Sequence, residues 1–221
     1  AINKYNINPK KINIMPFGSN INHNLNSKNL YKIINKRVIT KKFLIKFLSV
    51  GTDWNRKGMD SSIKVIKKLR KKGINCELNI VGCKRPINYN LPDFVKIHSF
   101  LNKNILSERK KLMNFYKDSH YFILLSRAEA FGLVFNEAAS LGLPSIATNT
   151  GGINSLIDNN TGVLIKKNEN LKMIVKKIIN INKNNFLYTK LSINSFIKYI
   201  NENNWNITSK KLEKTLFKNK N

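Results

Sequence analysis

Acidic side chains are scarce in this sequence: 12 Asp and Glu stand against 40 Lys and Arg in 221 residues, a formal net charge of +28 at pH 7. Cysteine is nearly absent, and Cys76 and Cys83 fit neither a C-x-x-C nor a metal-ligand spacing. That excludes a disulfide scaffold and reads as two small buried apolar groups in a reducing cytoplasm. No apolar run approaches the roughly 20 residues of a membrane span. The longest, "FLIKFLSV" at 43–50, is strand-length and carries Lys46, so the chain reads as soluble. Gly/Ser-rich linkers, internal repeats and a secretory signal are missing, as are G-x-G-x-x-G, G-x-x-x-x-G-K-[ST] and G-x-S-x-G. The dinucleotide, P-loop and hydrolase readings therefore lack their signatures. His98 and His120 have no second ligand at metal spacing and read as strand residues.

What is present is a chain that is 42% hydrophobic, enough for a sizeable core. Its basic balance, with a pI near 10.2, points toward anionic partners such as nucleic acid, an anionic membrane surface or phosphorylated ligands. The lysines are scattered over helix-like segments ("KKLRKKG", "SKKLEKTLFKNK") rather than interleaved with aromatics. Together with the abundance of Asn and Ile they fit the codon drift of an AT-rich genome, so solvated helix faces are favoured over a nucleic-acid groove.

Apolar strand-like runs alternate with helical spacing. Strands are expected at 43–51, 76–82, 94–100, 120–126, 144–150 and 162–165, and helices over 60–73, 107–117 and 132–141 and through most of the chain beyond 168. "KINIMPFGSN" at 11–20 reads as a further strand leading into a turn. Continuous apolar strands separated by helices imply an α/β, Rossmann-like parallel sheet with helices on both faces, and such sheets bind ligands beyond the carboxyl ends of their strands. Four loops lie there: "GTDWNRKG", "GCKRP", "SRAEAFG" and "TNTGG". They hold Arg56, Lys57, Lys84, Arg85, Arg127, Glu129, Gly151 and Gly152.

In "SRAEAFGLVFNEA" at 126–138, two of the few carboxylates fall in an apolar stretch, which is costly unless each has a partner. A helix starting near Gly132 presents the unpaired amides of Gly132, Leu133 and Val134 to an anion such as a phosphate. Glu129 then lies in the loop before that helix and Glu137 inside it. Carboxylates so placed suit ligand hydroxyls rather than the phosphate itself. Arg56 and Lys57 suit a diphosphate, one through forked hydrogen bonds and the other as a point charge.

The stretch "SRAEAFGLVFNEAASLGLPSIATNTGGINSLI" resembles the donor-binding motif of the retaining GT-B glycosyltransferases of family four, E-x7-E followed by a Gly-Gly loop. "INIMPFGSN", "FLSVGTDWNRKGMD", "LNIVG" and "LPDFVKIHSFL" extend the similarity over nearly the whole chain. The resemblance implies the C-terminal, donor-binding half of a GT-B enzyme that uses a nucleotide-diphosphate sugar of UDP or GDP type, with no metal and no separate cofactor. It implies that Glu137 holds the ribose hydroxyls, that Glu129 lies by the transferred sugar, and that Lys57 neutralises the departing diphosphate. Arg56 would supply the charge that the family takes from an arginine where this chain has Thr52. The backbone of Phe131, Gly132 and Leu133 would meet the sugar and diphosphate, and Gly18, Gly51, Gly151 and Gly152 would line the donor site.

On the same resemblance, residues 1–22 are the last strand of an absent N-terminal acceptor domain plus a linker. Residues 23–203 form the nucleotide-sugar domain, and 204–221 a helix crossing back toward the N-terminal domain. The opening at Ala1 rather than Met fits a fragment. The expected partners are the donor sugar nucleotide and an N-terminal domain, fused or separate, with peripheral contact to an anionic membrane as a further possibility. Two other readings stand beside it: a basic module that grips nucleic acid or membrane, and a non-catalytic transferase half that assists a partner subunit.

Overall fold

The computed structural model describes residues 5–21, 25–167 and 169–217. Its centre is a six-stranded parallel sheet in the order β3-β2-β1-β4-β5-β6. The strands are β1 (Ile45–Val50), β2 (Cys76–Val81), β3 (Val95–His98), β4 (Tyr121–Leu124), β5 (Ser145–Thr148) and β6 (Gly162–Ile165). Every residue of β4 and β5 is buried, as is all but one residue each of β1 and β2. This is the signature of strands covered on both faces, and it explains why they read as continuous apolar runs.

Eight α-helices surround the sheet among the described residues: α1 (Ser27–Thr40), α2 (Met59–Lys71), α3 (Leu106–Asp118), α4 (Leu133–Ser140), α5 (Ile153–Leu156), α6 (Leu171–Lys183), α7 (Asn185–Glu202) and α8 (Trp205–Phe217). α2 packs on β2, β4 and α6. α3 packs on β1, α4 on β5 and α7, and α1 on α7. The α2 sequence "MDSSIKVIKKLRK" shows the cause: Met59, Ile63, Val65, Ile66 and Leu69 are buried along one stripe, while Lys68, Arg70 and Lys71 occupy the last turn, where the helix dipole favours cations.

The chain runs outward from β1 through β2 to β3, returns past β1 through α3 to β4, and continues the other way. β1 and β4 therefore sit side by side, pairing Phe47 with Tyr121 and Leu48 with Phe122, at the switch point of the strand order, where such sheets form a crevice beyond their strand ends.

Two regions differ from the sequence expectation. Residues 12–20 join no sheet: a 3-10 turn at Pro9–Lys11 precedes an irregular segment. Its bonds go to helices instead, from Asn136 Nδ2 to the Phe17 carbonyl at 2.6 Å, from Trp205 Nε1 to the Ser19 carbonyl at 3.1 Å, and from the Thr208 hydroxyl to the Pro16 carbonyl. Pro16 has no N–H to give a ladder. The second difference is α1, which covers a stretch where no element is expected from the sequence. It is anchored by Leu30, Ile34 and a buried Arg37.

Candidate functional site

The loops after β1 and β4 meet at this crevice. Lys57 is 8% exposed and sets its ammonium 2.5 Å from Glu129 Oε2, while Arg56 Nη1 lies 3.8 Å from Oε1 of the same carboxylate. Arg56 is itself held from the other side by Asp53, whose Oδ1 accepts the Arg56 amide at 2.9 Å. The two loops are stitched together by Arg127. Its amide donates to the Arg56 carbonyl at 2.8 Å, and its guanidinium reaches the Asn55 carbonyl and Asp60 Oδ2, the latter at 2.7 Å.

Glycine is required at several of these contacts. Gly58 has φ +63°, and a Cβ there would fall 2.0 Å from the Leu125 carbonyl oxygen, so only glycine lets α2 begin against the β4 loop. Gly151 has φ +57°, and its Cβ would lie 1.6 Å from the Glu129 carbonyl oxygen. Beside it, the Gly152 amide donates to the Ala130 carbonyl at 2.9 Å. The Gly-Gly pair thus forms the shelf under the backbone that carries Glu129.

Gly132 (φ +91°) is the N-cap of α4, and the amides of Leu133 and Val134 begin the helix with no acceptor inside it. Glu129 folds back over this point, its Cγ 3.4 Å from where a Gly132 Cβ would stand. One turn further on, Glu137 has no exposed surface. Its Oε2 accepts the Tyr116 hydroxyl at 3.0 Å, and its Oε1 is paired with the Lys103 ammonium. Burial, with the neighbouring carboxylate second, pushes the Tyr116 hydroxyl well above the usual tyrosine range, so it remains a donor.

Beside these groups lies a cleft of about 250 Å³ lined by Gly51, Thr52, Arg56, Lys57, Lys103 and Val134, among others. It shares Phe100, Leu101 and Lys103 with a larger one of about 630 Å³ that reaches Ser19, Arg109 and Trp205. Cations and free amides at a strand edge suit an anion. Carboxylates on either side of them suit hydroxyls.

The sequence-derived residues thus largely converge. Arg56, Lys57, Glu129, Gly132 and Leu133 gather at the loop and helix start, Glu137 lies just behind, and Gly51 sits over Lys57, its Cβ position 2.9 Å from the Lys57 Cγ. Phe131 packs edge-on against Phe17 at 5.2 Å. Gly18 is buried against Trp205, its Cβ position 2.5 Å from the Trp205 amide. Lys84 and Arg85 are exposed, and among the described residues they form no ion pair. Cys83 points its thiol at the Gly51 carbonyl, 3.0 Å away, and burial raises that thiol to about 11. Lys103 and Tyr116 are functional-looking groups that sequence reasoning missed. They lie 34 and 21 residues from Glu137, and no local pattern links them to it. Among the described residues no group of three or more His, Cys, Asp or Glu is placed to hold a metal ion.

Residues 32–198 match the family model described as glycosyl transferases group 1. No curated protein matches significantly by sequence. The fold is similar to that of WaaG, a glycosyltransferase involved in lipopolysaccharide biosynthesis, at 21% identity and a TM-score of 0.71, covering 95% of this chain and 57% of that one. It is also similar to a glycosyltransferase from Rickettsia africae (22%, TM-score 0.70, 99% and 60%). A third similar structure is a sucrose-phosphate synthase from Thermosynechococcus elongatus (21%, TM-score 0.66, 92% and 52%). The chain therefore spans between 52% and 60% of the length of these structures.

Proposed function

The chain belongs to the glycosyl transferases group 1 family, and from that premise we propose that it is the donor-binding half of a retaining, family-four-type glycosyltransferase, taking a sugar nucleotide of UDP or GDP type. The observation that carries this reading is the convergence of Lys57, Arg56 and the amino end of α4 on one crevice, with a carboxylate on either side. The cations and amides receive the diphosphate and stabilise it as it leaves, where negative charge develops. No metal is called on in this scheme, because Lys57 and Arg56 supply the positive charge.

Glu137 accepts the ribose hydroxyls. Glu129, fixed by Lys57 and by the Gly151–Gly152 shelf, accepts those of the transferred sugar. Tyr116 orients Glu137 from behind. Residues 5–21 and α8 form the side that faces an N-terminal acceptor domain, whether fused or separate. Supporting this, Phe17 is 48% and Trp205 46% exposed, although they pack on each other with ring centroids 5.8 Å apart.

Titration calorimetry with UDP, GDP and inorganic phosphate tests the reading. A nucleoside diphosphate is expected to bind at least tenfold more tightly than phosphate. Glu137→Ala is expected to remove about tenfold of that affinity, the worth of one charge-assisted hydrogen bond. Equal binding of phosphate and nucleotides, unmoved by Glu137→Ala, would overturn it.

A further inference from the structure

Glu137 is sealed from solvent, and its two oxygens are held by partners of different kinds. Tyr116, on Oε2, is itself fully buried and has nowhere to go. Lys103, on Oε1, arrives from the loop between β3 and α3. Its side chain is 30% exposed, and it lines both clefts. A group that approaches Oε1 from the cleft therefore meets the Lys103 ammonium first. Lys103 lines the same 250 Å³ cleft as Arg56 and Lys57.

We propose that Lys103 is a specificity-determining residue that changes partners when the ligand enters: it pairs with Glu137 in the free protein, yields that oxygen to a ligand hydroxyl, and turns to the ligand's diphosphate. The proposal rests on the donor-binding reading above. Its physical basis is that neither half of a nucleoside diphosphate satisfies every charge. A nucleoside alone takes Glu137 and leaves the ammonium without an anion. Pyrophosphate alone draws the ammonium away and leaves a buried carboxylate unpaired, which is strongly unfavourable. A ligand that carries both hydroxyls and diphosphate pairs all the groups, so its two halves bind cooperatively. Lys103 thereby selects the intact nucleoside diphosphate against its fragments.

Lys103→Gln separates this from a merely structural role, because the amide still donates to Glu137 but brings no charge. By calorimetry, uridine and guanosine are expected to bind the variant severalfold more tightly than the parent, since a neutral competitor is easier to displace. Pyrophosphate is expected to bind parent and variant within about twofold of each other, because in the parent the contact it gains from Lys103 is offset by the buried carboxylate it leaves unpaired. Weakening of both fragments, or no change in either, would overturn the role of Lys103 while leaving donor binding intact. If the parent protein binds neither UDP nor GDP better than pyrophosphate, the donor reading falls and this inference falls with it.

A measurement on the unaltered protein covers a variant that does not fold: acetylation of Lys103 by acetic anhydride, read by mass spectrometry. With the nucleoside whose base the site accepts, labelling is expected to rise, because the ammonium is released. With the matching nucleoside diphosphate it is expected to fall. Movement in the same direction for both ligands, or none, would overturn the proposal.

Discussion

Glu129 and Glu137 show how two acids are accommodated in an apolar stretch. One lies between Lys57 and Arg56, the other between an ammonium and a phenol. Both were legible as site candidates because their spacing straddles a glycine at a helix start. The groups that hold Glu137 were not legible, since one more lysine among so many carries no signal.

Another buried titratable group, His120, has a structural place. Its Nε2 lies 2.8 Å from the Thr40 hydroxyl and its Nδ1 accepts the Lys46 amide at 2.9 Å. Burial, followed by the positive charges of Arg37, Lys46 and Lys41, lowers its pKa to about 3. The unfolded chain therefore takes up a proton below about pH 6.5 that the folded chain refuses. His120 contributes stability that is complete above that pH and is lost progressively as the pH falls toward 3, on the order of 3–5 kcal/mol in all. Urea unfolding is expected to weaken between pH 6.5 and 4.5, before most carboxylates titrate. His120→Gln is expected to flatten that slope.

At the scale of elements, sequence and structure agree where the physics is local and part where it is not. The six strands were each marked by an apolar run and the helices α2 and α3 by spacing, so their places were readable to within a few residues. Residues 12–20 had the apolar content of a strand, but a strand exists only where a neighbour supplies the ladder, and here helices supply the partners. α1 was hidden for the opposite reason. In "SKNLYKIINKRVIT" the arginine looks like one more solvated cation, yet Arg37 is 1% exposed. It donates to the carbonyls of Lys117, Gly142 and Tyr116 at 3.1, 2.8 and 2.9 Å, fastening α1 to the ends of α3 and α4. The fully buried guanidinium has its pKa lowered by that burial but has donors matched to acceptors on three sides. Arg37→Met is expected to cost more than about 3 kcal/mol in chemical denaturation, because three buried carbonyls lose their donors together. An exposed lysine of the same helix, such as Lys32, is expected to change by less than about 0.5 kcal/mol when replaced by Gln.

Over the whole molecule, a net charge of +28 attracts polyanions whatever the shape of the site. The two kinds of binding separate by their response to salt. Affinity for duplex DNA is expected to fall steeply and linearly with the logarithm of salt concentration, and to be untouched by Glu129→Gln or Glu137→Gln. Nucleoside diphosphate affinity is expected to fall less, and to depend on both glutamates. A gel-shift series beside a calorimetric series over the same salt range would show the two slopes. Equal slopes, or DNA binding that follows the glutamates, would mean that the crevice itself binds nucleic acid. The overall charge was plain in the sequence, but its irrelevance to the crevice was not. Only the fold reveals that Lys57, Arg56 and Lys103 are the cations gathered on the cleft, while Lys84 and Arg85, equally near a strand end in the sequence, stay outside it.

The two tryptophans are divided by the fold in a way that has a practical use. Trp54 is 8% exposed, with its ring against Tyr89, whereas Trp205 is 46% exposed and forms part of the wall of the larger cleft. Dissolved iodide therefore reaches the emission of one indole and not that of the other. The quenchable share of the protein's intrinsic fluorescence is a built-in optical gauge of whether that wall is covered, available without a label or a substitution.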